Sequence, residues 1–110
     1  MNLFREMTEL DRLLHEPARL AIMTALAKCK TADFIFLRNL TGLSKGNLSS
    51  HLSKLEEGDF VMLQKTFAGK IPKTIISLTA AGAEAIDEHW RKLDALRRDA
   101  KKWKPKPALA

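Results

Sequence analysis

The apolar positions of this chain fall into runs whose spacing changes from helical to strand-like and back. Leu48, Leu52 and Leu55 lie at i, i+4 and i+7, one apolar stripe on a helix that begins at Ser44 and ends by Gly58. The Ser44 hydroxyl can accept from the amide of Asn47, which makes it the N-cap. Upstream, Leu3, Met7, Leu10 and Leu14 are spaced 4, 3 and 4, a heptad-like seam that predicts a first helix over residues 1–15. Pro17 suits the first turn of a second helix over 18–28, alanine-rich, with Ile22 and Leu26 among its buried positions. A short strand at 31–32 leads to Asp33, a cap for a third helix over 34–40, and Gly42 supplies the next turn.

Past Gly58-Asp59 the pattern turns to strand formers. Residues 60–66 and 74–78 predict two strands, and the stretch FAGKIPK between them reads as a hairpin loop too long for a tight turn. Thr79 caps a last helix over 80–102. Its apolar side is Ala83, Ile86, Trp90, Leu93, Leu96, Ala100 and Trp103, long for a helix with only a small domain beneath it. The proline-bearing stretch 104–110 predicts a frayed tail.

The outward face of the helix after Ser44 changes this from a list of elements to a candidate site. It carries Lys45, Asn47, Ser49, Ser50, Ser53 and Lys54, all donors or donor/acceptors, and no carboxylate before Glu56 and Glu57. An ordinary solvent-facing helix is usually laced with i,i+4 Glu–Lys pairs. A face without carboxylates suits a groove lined by phosphates. Helix, short glycine turn and helix is the helix-turn-helix layout, and the basic hairpin that follows reads as a wing.

Composition bounds the alternatives. The 110 residues and 12.4 kDa predict one domain over 1–110, and a 45% hydrophobic content supplies a modest core that packing against a partner would help. One cysteine, Cys29, excludes an internal disulfide framework. No run approaches a membrane span and the first residues lack a signal-peptide pattern, so a soluble cytoplasmic protein with no membrane partner is expected. The net charge is +6, but from Arg91 onward there are eight basic and two acidic residues, so residues 1–90 are neutral. The pI therefore does not locate a nucleic-acid face. The basic tail fits polyanion binding or simple solubility.

The string GLSKGNLSSHLSKLEEGDFV, then GKIPKT, then LTAAG, resembles the winged helix-turn-helix of MarR-like and ArsR-like transcriptional regulators, and HEPARLAIMTAL resembles the helix that opens that domain. The resemblance spans about residues 15–82. It implies a mainly α fold with a small β-hairpin (α+β), a three-helix core plus wing, flanked by dimerisation helices at 1–15 and 80–103. It implies a homodimeric, sequence-specific double-stranded DNA-binding regulator on a pseudo-palindromic operator, with no enzyme activity and no cofactor. It places Ser44, Lys45, Asn47, Ser49, Ser50 and Lys54 on a recognition helix and Lys65, Lys70, Lys73 and Thr74 on the wing. It assigns Leu3, Met7, Leu10 and Leu14, with Ile86, Trp90, Leu93 and Leu96, to the dimer interface. With no separate effector domain, repression by occlusion is the expected mode; no effector is identified. Two departures stand out. Asp59 sits where the family has glycine before the wing, and Arg38 where a small residue is common. The paired cysteines of ArsR-like metal sensors are absent around Phe36-Leu37-Arg38.

Other chemistry is thin. Asp87-x-His89 resembles half of an ArsR-like metal site, but further ligands are missing, so no metal is expected and the two read as a solvated pair on an exposed face. His51 reads as packing at the recognition-helix margin, with a phosphate contact as the sharper alternative. His15 reads as part of a helix junction. Cys29, between two lysines, reads as a structural cysteine rather than a redox sensor. No nucleophile–base pair or phosphate loop is present, so no catalytic residue is assigned. Two readings of other classes compete with DNA regulation: a winged-helix protein-interaction module, and a basic architectural or RNA-binding protein acting through its tail.

Overall fold

The computed structural model describes residues 2–106. Five helices are arranged around a three-stranded antiparallel sheet. In chain order they are α1 (Leu3–Thr8), α2 (Pro17–Cys29), β1 (Thr31–Asp33), α3 (Phe34–Thr41), α4 (Lys45–Glu57), β2 (Val61–Ala68), β3 (Ile71–Leu78) and α5 (Ala80–Lys102). The sheet order is β1-β3-β2. Each helix starts at a side-chain cap that takes one of the orphan amides of the first turn. Asn2 accepts from Phe4, Glu16 from Arg19, Asp33 from Phe36 at 2.7 Å, Ser44 from Asn47 at 3.1 Å and Thr79 from Gly82 at 2.9 Å.

The core collects side chains from α2, α3, α4, the two long strands and α5, while α1 buries none. Ile22, Met23 and Leu26 come from α2, Leu37 from α3, and Leu48, Leu52 and Leu55 from α4. Val61, Ile76 and Ile86 close it from the two long strands and α5. Burying each such side chain is worth about 1.5–3 kcal/mol, so α4 is anchored by its leucines while its opposite face stays free.

The turn after α4 shows how the wing is aimed. Asp59, not Gly58, takes the left-handed conformation, with φ 64°. The fold tolerates the departure at that position because a short polar side chain can enter this region. Gly58 packs under the Leu13 side chain: a Cβ there would lie 2.5 Å from Leu13 Cδ2, so that methyl would have to move aside. On the far side of the wing, Thr79 Oγ1 donates to the Asp59 carbonyl at 2.7 Å and the Thr79 amide to the Phe60 carbonyl at 3.1 Å. A Cβ on Gly82 would collide with that same Phe60 carbonyl. The LT-x-x-G start of α5 is thus a clamp that fixes the base of the wing.

Three expectations are corrected. The first helix ends at Thr8, not residue 15. Asp11 accepts from the Leu13 amide at 2.9 Å, and the turns over 9–16 carry Leu14 into the protomer's own core. The hairpin is tight: β2 and β3 pair from Val61↔Leu78 to Ala68↔Ile71, leaving the two-residue turn Gly69-Lys70. Pro72 is accommodated because β1 pairs with β3 only from Ile75 to Ser77, so its missing N–H faces no neighbour. Finally, Ile86 and Leu96, like Leu14, are buried within their own chain rather than standing open as a seam. The rest of the seam is open in part: Leu3, Leu10 and Leu93 are half-buried, and Met7 and Trp90 are exposed. Of the expected frayed tail, 104–106 have no regular structure and the remainder lies outside the described residues.

Candidate nucleic-acid interface

Lys45, Asn47, Ser49, Ser50, Ser53 and Lys54 of α4 are all exposed, whereas Leu48, Leu52 and Leu55 are buried. The structure leaves all six polar side chains open to solvent, spread over the half of α4 that the leucines do not occupy, with Lys45 and Asn47 at its two margins. Ser44 is engaged as the cap. Arg38 is exposed on α3.

The wing residues divide by their surroundings. Lys65 and Lys70 are exposed, and Thr74 is half-buried across the ladder from Lys65. The Lys73 ammonium lies 3.5 Å from Asp33 Oδ2. The Phe36 amide, bound to the other carboxylate oxygen, and then Lys73 hold the Asp33 carboxyl below the usual carboxylate range. Lys73 is therefore a shared cation, while Lys70 at the wing tip has no acidic partner among the described residues.

His51 sits at the margin of α4, as the helical spacing predicts. Arg19 approaches its Nδ1 to 3.0 Å from Nη1, and Glu16 Oε1 lies 3.9 Å from the same nitrogen. Arg19 is only 9% exposed and also donates to the carbonyls of Leu13 at 2.7 Å and Arg12 at 3.2 Å. Sequence reading gave Arg19 no role. The available signal was an arginine on the inward side of an otherwise apolar helix, one turn past its cap.

The Asp87-x-His89 reading is corrected in part. Asp87 is exposed and pairs with Arg91, whereas His89 is 4% exposed and its Nε2 lies 3.1 Å from His15 Nδ1. The two face different surroundings. Burial first, then the neighbouring His15, pushes the His89 pKa down, with Asp11 opposing. Among the described residues no group of three or more His, Cys, Asp or Glu side chains is placed to hold a metal ion. Cys29 is exposed at the end of α2, not a core residue.

A groove of about 590 Å³ that sequence reading also missed runs between the wing and the helix-turn-helix, bordered by α3, Lys45 and the first residues of β3. Five of the eight residues of α3 are large and apolar, more than one inward stripe can use. That surplus was its signal.

With this geometry in place, residues 18–96 match the family described as Winged helix DNA-binding domain. The chain belongs to that family. A transcriptional regulator homologue from Pyrococcus horikoshii OT3 has the same winged helix architecture, with a TM-score of 0.83 and 29% identity, covering 91% of this chain and 98% of that one. A MarR-family transcriptional regulator from Silicibacter pomeroyi shares the fold at a TM-score of 0.63 and 21% identity, covering 96% and 68%. An uncharacterized protein of Methanocaldococcus jannaschii is 32% identical over 78 residues, 71% of this chain and 85% of its own length. This winged helix protein thus has the architecture of MarR-like transcriptional regulators. No helix among the described residues is long and apolar enough to cross a membrane.

Proposed function

We propose that this winged helix protein is a homodimeric transcriptional repressor that reads a pseudo-palindromic duplex by placing α4 in the major groove. The observation that carries this reading is the free face of α4, which is fully exposed, rich in donors and without a carboxylate over residues 45–54. In the major groove all four base pairs are distinguishable. Asn47 is the base reader, because its amide can pair bidentately with adenine. Ser49 and Ser50 can meet base or phosphate. Lys45, Lys54, Lys65 and Lys70 contact phosphates and set register, with Thr74 and the shared cation Lys73 beside them.

The dimer reading rests on shape and on the exposed remainder of the helical seam. The radius of gyration is 17.7 Å, where a compact chain of this length has about 13 Å, and the long axis extends 70 Å. α5, at 23 residues, is about 34 Å long and contributes to that extent together with the wing. Phe4 of α1 meets Trp103 at its far end, ring centroids 5.0 Å apart. A second copy would cover Trp90, Leu93, Met7 and Leu3 in a shared helical layer. Selection of bound sequences from a random duplex pool tests the function. A palindromic consensus with two half-sites supports it, and recovery of no consensus overturns it.

A further inference from the structure

The ring of His51 is held on one side and free on the other. Arg19 Nη1 lies 3.0 Å from His51 Nδ1. A guanidinium only donates, so Nδ1 accepts and the ring proton stays on Nε2. Glu16 Oε1, 3.9 Å from Nδ1, is beyond hydrogen-bond reach and accepts from the Arg19 amide at 2.9 Å instead. Arg19 is itself 9% exposed and pinned by the carbonyls of Leu13 and Arg12. The imidazole is thus a donor whose tautomer is set by a buried cation. Among the described residues Nε2 has no hydrogen-bond partner, whereas every side-chain nitrogen or oxygen sealed from solvent has one. Nε2 is therefore open to solvent.

We propose that His51 is a preset, uncharged phosphate donor, whose Nε2–H bonds a phosphodiester oxygen of the duplex that α4 holds. The proposal rests on the DNA-binding reading above and names a contact that reading does not use. Successive residues of a helix are turned by about 100°. His51 therefore stands between Asn47 and Lys54 on one side and the buried Leu48, Leu52 and Leu55 on the other. A recognition helix leads with its N-terminal residues at the base edges. Asn47, in the first turn, is one of these. His51, a turn farther along and beside the core, faces the wall of the groove, which is a sugar–phosphate strand. Lys54, three residues on, shares that side of the helix. The two differ in kind. Lys54 is a point charge on a flexible stem. His51 offers one N–H in a fixed direction, so it aligns the helix on the strand rather than adding charge. Arg19 is the positioning residue: its charge stays on the Nδ1 side, and the ring carries only a hydrogen bond outward.

The test is ethylation interference, which finds the phosphates whose blocking prevents binding, together with affinity measured against salt. It uses the full chain, His51→Leu, His51→Ala and His51→Gln on a selected duplex, with circular dichroism to check each fold. Leucine suits the flank of the α4 stripe and alanine adds no bulk, so both removal variants should fold. Each should bind selected and random duplex alike about tenfold more weakly, the scale of one hydrogen bond to a charged group. A phosphate whose ethylation blocks the wild type should no longer matter to them. The salt slope should stay as in the wild type, because no cation is lost. His51→Gln, which keeps an N–H donor near the place of Nε2, should restore most of the affinity. Unchanged affinity and interference in both removal variants overturns the assignment alone. So does a preference lost at one base pair with the interference pattern intact, which would make His51 a base reader. A slope that shrinks by about 0.9 would reveal a charged contact and overturn it as well. Absence of wild-type duplex binding at low salt overturns the DNA-binding reading and this inference with it.

Discussion

Arg19 Nη1 donates to His51 Nδ1 across 3.0 Å, so a guanidinium rooted in α2 selects the tautomer of an imidazole on α4. The guanidinium has no acceptor capacity, which makes Nδ1 the acceptor and leaves the ring proton on Nε2. The same guanidinium holds the carbonyls of Arg12 and Leu13. One side chain therefore ties the turns before α2 to the helix that carries the candidate interface.

Removing that fork should cost more than a surface substitution. Arg19→Ala is expected to destabilise the protein by about 2–3 kcal/mol, because three acceptors lose a charged donor that is itself buried. Arg19→Lys should recover little, since a single ammonium cannot reach the spread of acceptors that the planar fork spans. Urea unfolding of the two variants checks this; a loss under 0.5 kcal/mol in Arg19→Ala, in the range of ordinary surface changes, would show the network to be incidental.

Much of the fold around the candidate interface was legible because local chemistry and packing agree there. Ser44, Thr79 and Asp33 announce helix starts that tertiary structure keeps, and the leucines of α4 fix which face remains outside. The first helix misled because Leu10 and Leu14 continue its period even though Asp11 turns the chain. Periodicity reports that a residue is covered, not which chain covers it; Leu14, Ile86 and Leu96 were read as dimer seam for that reason. The length of the wing was hidden by Gly69 and Pro72, two poor strand formers that a two-residue turn and an unpaired edge make harmless. Arg19 and the pairing of His15 with His89 join residues far apart in sequence, which no local pattern encodes.

The His15–His89 contact predicts an acid-side loss of stability. His89 is buried, and its pKa lies below the ordinary value of 6.5. The unfolded chain therefore takes up a proton near pH 6.5 that the folded chain resists. Stability should be level above that pH and fall as pH drops below it, by at most about 1.4 kcal/mol per pH unit for one proton. His89→Gln, which cannot titrate, should flatten the curve between pH 7.5 and roughly 5.5, above the usual carboxylate range. Denaturant midpoints across that window decide the matter; equal acid slopes in both proteins would remove His89 as the source.

Base reading by Asn47 has its own signature. Asn47→Ala should relax preference at one base-pair position by about 1–3 kcal/mol and leave binding to random duplex nearly unchanged. A variant that returns the wild-type consensus from a random pool would show that Asn47 is not a reader.

The wing lysines should separate by salt dependence. Lys70→Ala should shrink the slope of log K against log salt by about 0.9, one phosphate contact, for every sequence alike. Lys73→Ala should shrink it less, since Lys73 already shares its charge with Asp33. Slopes from titrations at several salt concentrations test both, and an unchanged slope in Lys70→Ala would take the wing tip off the backbone.

The dimer is tested on the part of the seam its own chain leaves open. Trp90 is 41% exposed and Leu93 half-buried on α5, while Ile86 and Leu96 belong to the protomer. Trp90→Asp together with Leu93→Asp would set two unpaired charges in the shared layer, where each is costly, yet leave the protomer core untouched. The expected product is a monomer with nearly the full helix content of the wild type. It should lose specific binding, because one recognition helix alone cannot span half-sites about 34 Å apart. Light scattering reads the mass and circular dichroism the fold. Native protein that is monomeric at micromolar concentration would sink the dimer, and with it the palindromic operator. Native dimer with a variant that remains dimeric would place the interface elsewhere on the molecule.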